Sequence, residues 1–300
     1  MKSAIRRFVP APIWKAARKT KHALELRRIR AVSPPITKDR LVRDLRALGI
    51  AEGDVVYVHS SLRALGFVEG GSDPVVDALM EAVGPGGTLA VPTFTIRGGM
   101  KETLESGDYV FDPKNEPSTV GAITNAFRLR PGVFRSLHPT HSVAAWGRLA
   151  KAVTESHLEQ GSTFGVGSPF VKLLDLNVKV LGLGVGYSPI TYYHVYEDLN
   201  PDKFPGVYSP RAYAARIKLE SGYREVLVRC HDPEFHRRRI DKNPEIESYF
   251  SSYFESEGVS HVGRVGNSTS WWLYAKDVIA CLDKLYSRGI TIYRTPNLKQ

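Results

Sequence analysis

The sequence predicts an α/β fold, a three-layer sandwich in which a mixed, largely parallel central sheet lies between helices. Short apolar runs typical of buried strands alternate with amphipathic helical patterns through most of the chain. Such alternation is typical of a sheet covered by helices on both faces. Nearer the C-terminus, two alternating strands flank Ser221 and Gly222, which predicts an antiparallel hairpin.

The predicted elements follow from hydrophobic spacing and from residues that begin or end helices. The first helix, 37–48, carries leucines at positions 41, 45 and 48, one turn apart. The remaining elements up to the hairpin are, in order, a strand at 55–58, a helix at 72–84, a strand at 87–91, a helix at 119–128, a strand at 143–146, helices at 149–157 and 171–176, and a strand at 178–183. The hairpin strands at 213–219 and 224–230 are followed by a helix at 246–254, a strand at 259–265, a helix at 278–286 and a last strand at 290–293.

Charge divides the 300-residue chain into two unequal parts. Residues 1–31 hold ten Lys and Arg against the single acidic residue Glu25, so this segment carries +9 of the net +10. Because Pro34 and Pro35 block helix continuation, we predict a basic arm at 1–32 and a single domain at 33–300, with a smaller C-terminal subregion at about 205–300. The nearly neutral body argues against nucleic-acid binding.

The role of the basic arm stays open between three interpretations. Ile13 and Trp14 belong to an apolar stripe that suits peripheral contact with an anionic membrane surface. A solvated helix and a contact in a homo-oligomer are the other two. The only cysteines, Cys230 and Cys281, form no CxxC pair, and the sequence shows no signal peptide or membrane span. These features predict a cytoplasmic protein, with the inner face of the membrane as its site if the arm binds lipid.

The segment after the first strand has the composition of a ligand-binding loop. Ser60 and Ser61 follow the strand after His59, and glycines recur at positions 66, 70 and 71. Backbone N–H groups and small hydroxyls at the carboxyl end of a strand can hold phosphates or amide-bearing ligands. The sequence lacks the GxGxxG, GxSxG and Walker patterns, which argues against dinucleotide binding, a serine nucleophile and a nucleotide P-loop.

Histidines next to carboxylates indicate where acid–base chemistry could occur. His194 and Glu197 share one face of a predicted helix, and a carboxylate can hold an imidazole in one tautomer and make it a general base. A plain ion pair on the helix surface is the alternative. His138 and Ser142 lie in a loop before an apolar strand, where histidines often serve only as structural hydrogen-bonding groups.

A second polar cluster, at 230–236, follows the hairpin. Asp232 could orient a catalytic histidine, and His231, Asp232 and His236 could ligate a metal if they converged. No HExxH motif or cysteine pair supports a zinc site, and a polar turn is the simplest interpretation.

Taken together, the blocks resemble the aminoglycoside 3-N-acetyltransferase family, whose antibiotic N-acetyltransferase fold is distinct from the GNAT fold. The similarity extends from about residue 37 to the hairpin and is weaker beyond it. The blocks that carry it are VHSSLRALG (58–66), GPGGTLAVPTFT (84–95), FDP (111–113), GAITNAFRLRPGVFRSLHPTHSVAAWG (121–147), FGVGSP (164–169), VLGLGVG (180–186) and YYHVYE (192–197). Because several blocks occur in the same order, the match is more specific than any one of them.

The resemblance implies transfer of an acyl group from acetyl-CoA, or another acyl-CoA, to the amine of an amino sugar, in a ternary complex and without a metal. His194 would be the general base, Glu197 its partner, and Asp232 the downstream carboxylate that orients it. The resemblance implies coenzyme contacts for Ser60, Ser61, Leu62, Arg63, Gly66, Thr93, Phe94, His138 and Ser142.

Two departures from the family pattern concern the acceptor pocket and the charge near Asp232. Tyr192 and Tyr193 stand near where family members carry Asn-Thr, which predicts a more aromatic acceptor pocket, and Cys230 replaces an acidic residue near Asp232. The basic arm and the two tyrosines favour a nucleotide- or lipid-linked amino sugar of surface polysaccharide as the acceptor, with an aminoglycoside antibiotic as the alternative. Two interpretations from other classes are a non-catalytic coenzyme A or glycan-binding protein and a metal-dependent hydrolase.

Overall fold

A computed structural model of the protein describes residues 34–106, 109–157 and 163–295. The basic arm predicted at 1–32 lies outside the described residues. Among the described residues, no helix combines the length and the apolar character that crossing a bilayer requires.

The central sheet contains five of the predicted strands and two that the sequence did not predict. Its strands are β1 (Val55–Ser60), β2 (Thr88–Pro92), β4 (Phe134–Arg135), β5 (Val143–Gly147), β6 (Lys179–Leu183), β9 (His261–Val265) and β10 (Ser268–Tyr274), of which β4 and β10 were not predicted. Within the described part of the chain they form one seven-stranded sheet in the order β4-β5-β2-β1-β6-β10-β9. The three middle strands are parallel, and the strands outside them pair antiparallel. The mixed sheet with a parallel centre is confirmed.

Helices cover both faces of this sheet. The α-helices of the described residues are α1 (Lys38–Leu48), α2 (Leu62–Leu65), α3 (Ser72–Val83), α4 (Met100–Leu104), α5 (Ala122–Arg128), α6 (Ala150–Thr154), α7 (Pro169–Asp175), α8 (Tyr192–Leu199), α9 (Pro233–Arg237), α10 (Pro244–Ser256) and α11 (Ala275–Ser287). Successive residues of β1 point to opposite faces, as the pleat requires. Val56 and Val58 pack with α1, α3 and α5, whereas Tyr57 packs with α6, α7, α8 and α11. This alternation produces the predicted three layers.

The predicted antiparallel hairpin is confirmed and forms a second, smaller sheet. Strands β7 (Tyr208–Leu219) and β8 (Gly222–His231) pair antiparallel around Glu220 and Ser221, and the short strand β3 (Val110–Phe111) pairs parallel with β7. Cys230 belongs to β8, and its side chain is fully buried in a cluster with Met100. Both cysteines are free thiols.

The C-terminal region differs from the sequence prediction in two elements. Strand β10 was missed because it begins with the polar run Ser-Thr-Ser and continues with two adjacent tryptophans, which is not an alternating pattern; its residues 270–274 pair with the whole of β6. The last strand predicted at 290–293 is wrong: Thr291 and Arg294 form an isolated bridge there, in a tight turn. The Ile292 carbonyl accepts a hydrogen bond from Ile240 N–H at 2.8 Å, so this backbone pairs with a loop and not with a sheet.

Gly182 allows β6 and β10 to approach closely. A Cβ built at Gly182 would lie 2.2 Å from Cε2 of Trp271. The indole cannot move aside easily, because it stacks on Tyr187 with 4.3 Å between ring centroids and donates from Nε1 to the Val185 carbonyl at 2.8 Å. The glycines of the GLGVG segment therefore serve packing, consistent with the absence of a dinucleotide motif.

Gly182→Ala should destabilise the protein by about 1–3 kcal/mol, because the added methyl group would force the Trp271 ring or the strand to shift. The matched control is Gly86→Ala, since a Cβ at Gly86 meets no atom within 4 Å. Urea unfolding followed by tryptophan fluorescence measures both. Equal free energies of unfolding for the two variants would contradict this account.

Candidate active site

The candidate site is built around α8, which the loop 184–191 connects to the end of β6. Ligands of open α/β sheets commonly bind beyond the carboxyl ends of the parallel strands, and this loop lies at such an end. His194 Nδ1 is 2.8 Å from Glu197 Oε2, as the i, i+3 spacing on one helix face predicts. The imidazole is 12% exposed and the carboxylate 1%, so the pair is not a solvated surface ion pair.

The second ring nitrogen of His194 is also occupied. Arg239 Nη1 lies 2.9 Å from His194 Nε2. A guanidinium can only donate, so Nε2 accepts this bond with its lone pair and the ring proton resides on Nδ1, which donates to Glu197. Asp241 fixes Arg239 through two bonds, from Nε at 2.9 Å and from Nη2 at 2.5 Å. The imidazole is therefore held in one tautomer from both sides.

Burial shifts the pKa values of both members of the central pair. Burial, followed by the positive charge of Arg239, lowers the pKa of His194 well below its ordinary value. Burial raises the pKa of Glu197. The Tyr293 hydroxyl lies beside the Glu197 carboxylate, and burial raises the pKa of that phenol as well. A neutral imidazole with an available lone pair is the form that accepts a proton.

Two further imidazoles surround the pair. The ring centroids of His231 and His236 lie 4.9 Å and 5.8 Å from that of His194. His231 Nε2 is 3.8 Å from Asp198 Oδ1, and it is a buried nitrogen without a hydrogen-bond partner among the described residues. Asp198 also accepts hydrogen bonds from Phe164 N–H, at 3.0 Å, and from the Tyr208 hydroxyl. One nitrogen from each of His194, His231 and His236 lies within 4.8 Å of the other two.

A cavity of about 610 Å³ opens near the ends of β1 and β6. Its volume lies within the usual range for small-molecule sites. Its lining residues are Ala64, Gly184, Val185, Gly186, Tyr187, Pro244, Glu247, Ser248, Ser251, Glu255, Val262, Ser268, Thr269 and Trp271. Ala64 belongs to the segment 60–66, which the sequence predicts to contact the coenzyme.

Ser188 connects this cavity to the histidine. Its N–H donates to Glu247 Oε1 at 3.0 Å, and its carbonyl accepts from Arg239 Nη2 at 3.3 Å. A Cβ at Gly186 would lie 2.0 Å from Glu247 Oε1, so a glycine is needed for this approach. Ser188 thus contacts both Glu247, which lines the cavity, and Arg239, which donates to His194 Nε2.

The predicted coenzyme residues fall into two groups. Ser60, Ser61, Leu62 and Gly66 are partly exposed and Arg63 is exposed, so this segment is accessible to a ligand. Phe94 is also partly exposed, with its ring centroid 4.5 Å from that of His141.

The other group consists of Thr93, His138 and Ser142, whose side chains are completely buried. Ser142 Oγ donates to the Thr93 carbonyl at 2.8 Å. His138 Nδ1 accepts backbone N–H bonds from Thr140 and His141 at 3.2 Å and 3.0 Å. These contacts hold the loop 138–142 in place. Direct coenzyme contact by these three side chains stays a prediction.

Three other candidates lie elsewhere than the sequence analysis expected. Tyr192 and Tyr193, expected to line the acceptor pocket, are 0% and 2% exposed and pack in the core, so neither ring offers a face to a sugar. The hydroxyl of Tyr192 donates to the Phe170 carbonyl. Asp232, expected to orient His194, is the N-cap of α9 and accepts from Phe235 N–H at 2.9 Å. Glu197 and Arg239 occupy the two imidazole nitrogens instead.

Sequence analysis missed Arg239, Asp241 and Glu247. Arg239 follows two other arginines after α9, so its sequence context resembles a solvated basic run. Contact between His194 and Arg239 spans 45 residues of sequence. No local pattern in either segment indicates it.

Comparisons with known proteins give a consistent result. A family model described as aminoglycoside 3-N-acetyltransferase matches residues 57–287. The aminoglycoside N(3)-acetyltransferase VII of Streptomyces paromomycinus is 34% identical over 277 residues, covering 85% of this chain and 93% of that protein. The aminoglycoside N(3)-acetyltransferase III of Serratia marcescens is 36% identical over 258 residues, covering 81% and 94%. Against the aminoglycoside N(3)-acetyltransferase III of a Salmonella species, identity is 38% over 173 residues, and the chain spans only 60% of that relative's length.

Solved structures agree with these matches. The aminoglycoside acetyltransferase AAC(3)-Xa superimposes with a TM-score of 0.71 at 29% identity, covering 88% of this chain and 95% of that one. AAC-IIIb, in a binary complex with CoASH, gives 0.72 at 26% identity, covering 88% and 100%. AAC-VIa bound to sisomicin gives 0.71 at 28% identity, covering 85% and 99%.

The buried histidines should make the protein less stable in mild acid. Burial lowers the pKa of His157 to about 4, whereas an unfolded histidine binds its proton near pH 6.5. As pH falls through about 6.5 the unfolded chain takes up a proton that the folded protein does not, so the free energy of unfolding should fall from pH 6.5 towards 4, by up to ~1.4 kcal/mol per pH unit for this histidine. Urea unfolding as a function of pH measures the slope.

His157→Gln should reduce that slope by the contribution of one histidine. The exposed His261 provides the matched control, since His261→Gln removes an imidazole without removing a buried one. A slope that is the same in wild type and His157→Gln would show that His157 does not contribute in this way.

Arg239→Gln should raise the pKa of His194, because it removes the positive charge that disfavours the imidazolium. NMR titration of the histidine ring signals measures the pKa directly. Arg237→Gln is the control, since Arg237 is exposed on the same segment and pairs with Glu234. A pKa of His194 that is unchanged in Arg239→Gln would contradict the electrostatic role.

Proposed function

Because the chain belongs to the aminoglycoside 3-N-acetyltransferase family, we propose that it transfers the acetyl group of acetyl-CoA to an amino group of an aminoglycoside. The observation that carries this proposal is the buried pair of His194 and Glu197, with 2.8 Å between Nδ1 and Oε2. It provides a neutral imidazole of fixed tautomer in a domain of this family.

The chemistry requires a base at this place. An alkylamine is mostly protonated near neutral pH and must lose one proton to solvent before its nitrogen can attack a thioester, and the attacking NH2 group must lose a second proton as the amide forms. His194 accepts that proton at Nε2 while Nδ1–H stays bonded to Glu197, and the carboxylate stabilises the imidazolium that forms. The new C–N bond replaces the C–S bond, and the proton passes to the departing thiolate. The reaction needs no covalent intermediate on the protein.

An amine must replace Arg239 to reach His194. The Nε2 lone pair accepts from Arg239 Nη1 in the structure, so the attacking nitrogen takes the position of that guanidinium nitrogen. Asp241 and the Ser188 carbonyl remain as partners for the displaced side chain.

The cavity supports a cationic acceptor. Glu247 and Glu255 contribute carboxylates to its lining, together with three serines and Thr269. Aminoglycosides carry several ammonium groups and many hydroxyls, which these side chains can bind. The glycan precursor expected from the sequence has less support, because Tyr192 and Tyr193 are buried and the similar proteins are named for aminoglycosides.

We assign the coenzyme to the accessible segment 60–66; support comes from the exposure of this segment and from Ala64, which lines the same cavity. AAC-IIIb, which superimposes on this chain, has been solved as a binary complex with CoASH. The two rival classes have less support. A non-catalytic binding protein would not need the histidine–carboxylate pair that is present here. A metal-dependent hydrolase would need Asp232 beside His231 and His236, but Asp232 is the N-cap of α9. The cytoplasmic location, membrane contact and oligomeric state stay predictions.

His194→Gln should lower kcat for acetyl transfer by about 10²–10⁴-fold, because it removes the general base. Thiol release from acetyl-CoA, measured with a panel of aminoglycosides, reports the rate, and calorimetry should show that coenzyme A still binds. His261→Gln is the matched control. Full activity of His194→Gln would remove the base assignment.

The acceptor is tested with the wild-type protein. We expect turnover with at least one aminoglycoside and none with nucleotide-linked amino sugars, and we expect bacteria that express the protein to tolerate that aminoglycoside. Turnover restricted to nucleotide-linked amino sugars would overturn the aminoglycoside assignment and restore the glycan-precursor alternative.

A further inference from the structure

We propose that His194, His231 and His236 form a binding site for a divalent transition-metal ion of the Zn²⁺ class, and that an ion bound there blocks His194 as a base. The three imidazoles come from α8, the end of β8 and α9. One nitrogen of each lies within 4.8 Å of the other two. Three imidazoles and a water molecule are a known ligand set for zinc.

The required rearrangement is small. Ligands about 2.0–2.1 Å from a tetrahedral zinc ion are about 3.3 Å apart, so the imidazoles must approach one another by roughly an ångström or more. His236 lies on the short helix α9 and is partly exposed, which leaves its side chain room to rotate. His194 and His231 are held more firmly, and the ring of each lies 5.2 Å from that of Phe164.

His231 provides an independent indication of a ligand. The residue is 8% exposed, and its Nε2 is buried without a hydrogen-bond partner among the described residues. Buried polar atoms of native proteins are nearly always paired, so an unpaired nitrogen beside two other imidazoles requires an explanation. Coordination of a cation by the His231 imidazole would explain the unpaired nitrogen, and the neighbouring residues support this explanation.

One carboxylate has the arrangement found behind a metal ligand, and a second lies close to the cluster. Glu197 accepts from His194 Nδ1, which leaves Nε2 for an ion, and a carboxylate behind a ligating histidine is a common feature of metal sites. Asp198 Oδ1 lies 3.8 Å from His231 Nε2. Both carboxylates are 1% exposed, so their negative charge is available to offset a buried dication.

Arg239 is the competitor for this site. Its Nη1 donates to the same His194 Nε2 that an ion would need, while its other two nitrogens are held by Asp241. A metal ion must therefore displace one hydrogen bond and tolerate a nearby cation that is already paired. The site is consequently one for added metal and not for a resident cofactor. Since Nε2 is also the atom that accepts the proton from the acceptor amine, metal binding and catalysis exclude each other.

The first experiment measures metal binding without reference to activity. Purified protein treated with a chelator and dialysed is titrated with Co²⁺, whose visible absorption reports coordination, and with Zn²⁺ by calorimetry. We expect one equivalent to bind to the wild type, and His236→Gln to weaken binding by at least about 10–100-fold. His261→Gln, which removes a histidine outside the cluster, should bind as the wild type does. No binding by the wild type, or equal binding by wild type and His236→Gln, overturns the proposal.

Thermal unfolding shows whether His236→Gln is folded, and His231→Gln provides a second variant with the same expected loss of binding. If either folded variant binds Co²⁺ as tightly as the wild type does, the proposal is overturned. Neither His231 nor His236 belongs to the hydrogen-bonded pair of His194 and Glu197, so these variants test the metal ligands separately from the proposed base.

The second experiment measures inhibition and rests on the proposed function. Zn²⁺ at concentrations that saturate the site should inhibit acetyl transfer by the wild type, and chelator should restore the rate. His236→Gln should need at least about 10-fold more Zn²⁺ for the same inhibition. Equal inhibition of both proteins overturns the proposal. If the metal-free wild type transfers no acetyl group, the proposed function fails, whereas the Co²⁺ titration still decides the metal site.

Discussion

The fixed position of one imidazole is the constraint on which the candidate site depends. His194 is bonded on one side to a carboxylate and on the other to a guanidinium. The carboxylate can only accept and the guanidinium can only donate, so a single tautomer satisfies both. Burial then keeps the ring uncharged, and the lone pair points towards the place where a cationic nitrogen already lies. Arg239 thus occupies the position that the proposed mechanism gives to the acceptor amine.

The fold supports this arrangement from two directions. Gly182 in β6 allows the Trp271 ring of β10 to approach, and Gly186 in the following loop leaves room for the Glu247 carboxylate of α10. On the opposite side, the buried imidazole of His138 binds the backbone of its own loop, and this loop carries His141. The rings of Phe94, His141, Phe164 and His194 then follow one another at centroid distances of 4.5–5.2 Å. The candidate base is therefore part of a continuous packed wall.

Local charge is more informative about the acceptor than net charge. The net charge of the body of the protein is close to zero, so the overall charge does not attract a polycation. The cavity is nevertheless lined by Glu247 and Glu255 from one helix, and Glu247 is oriented by the backbone of Ser188. Two carboxylates on one wall of the cavity produce a local negative potential even when the positive and negative charges on the rest of the surface cancel. The same reasoning applies to Glu197 and Asp198 beside the histidine cluster.

The sequence by itself determined the α/β architecture, the hairpin and the pairing of His194 with Glu197. These features depend on neighbours along the chain: hydrophobic alternation, residues that cap helices, and the spacing that places positions i and i+3 on one helix face. Family resemblance added the reaction class in the same way, because its blocks are continuous stretches of sequence.

Tertiary structure alone decided which other residues reach the site. Arg239 and Asp241 approach His194 because the segment after the hairpin packs against α8, a contact across 45 positions that no local pattern encodes. It also decided orientation: Tyr192 and Tyr193 adjoin His194 in sequence, yet α8 directs both rings into the core. On a helix that is buried on most sides, periodicity cannot distinguish the face towards a cavity from the face towards the core, because both are apolar. Only the packing of the surrounding layers makes that distinction.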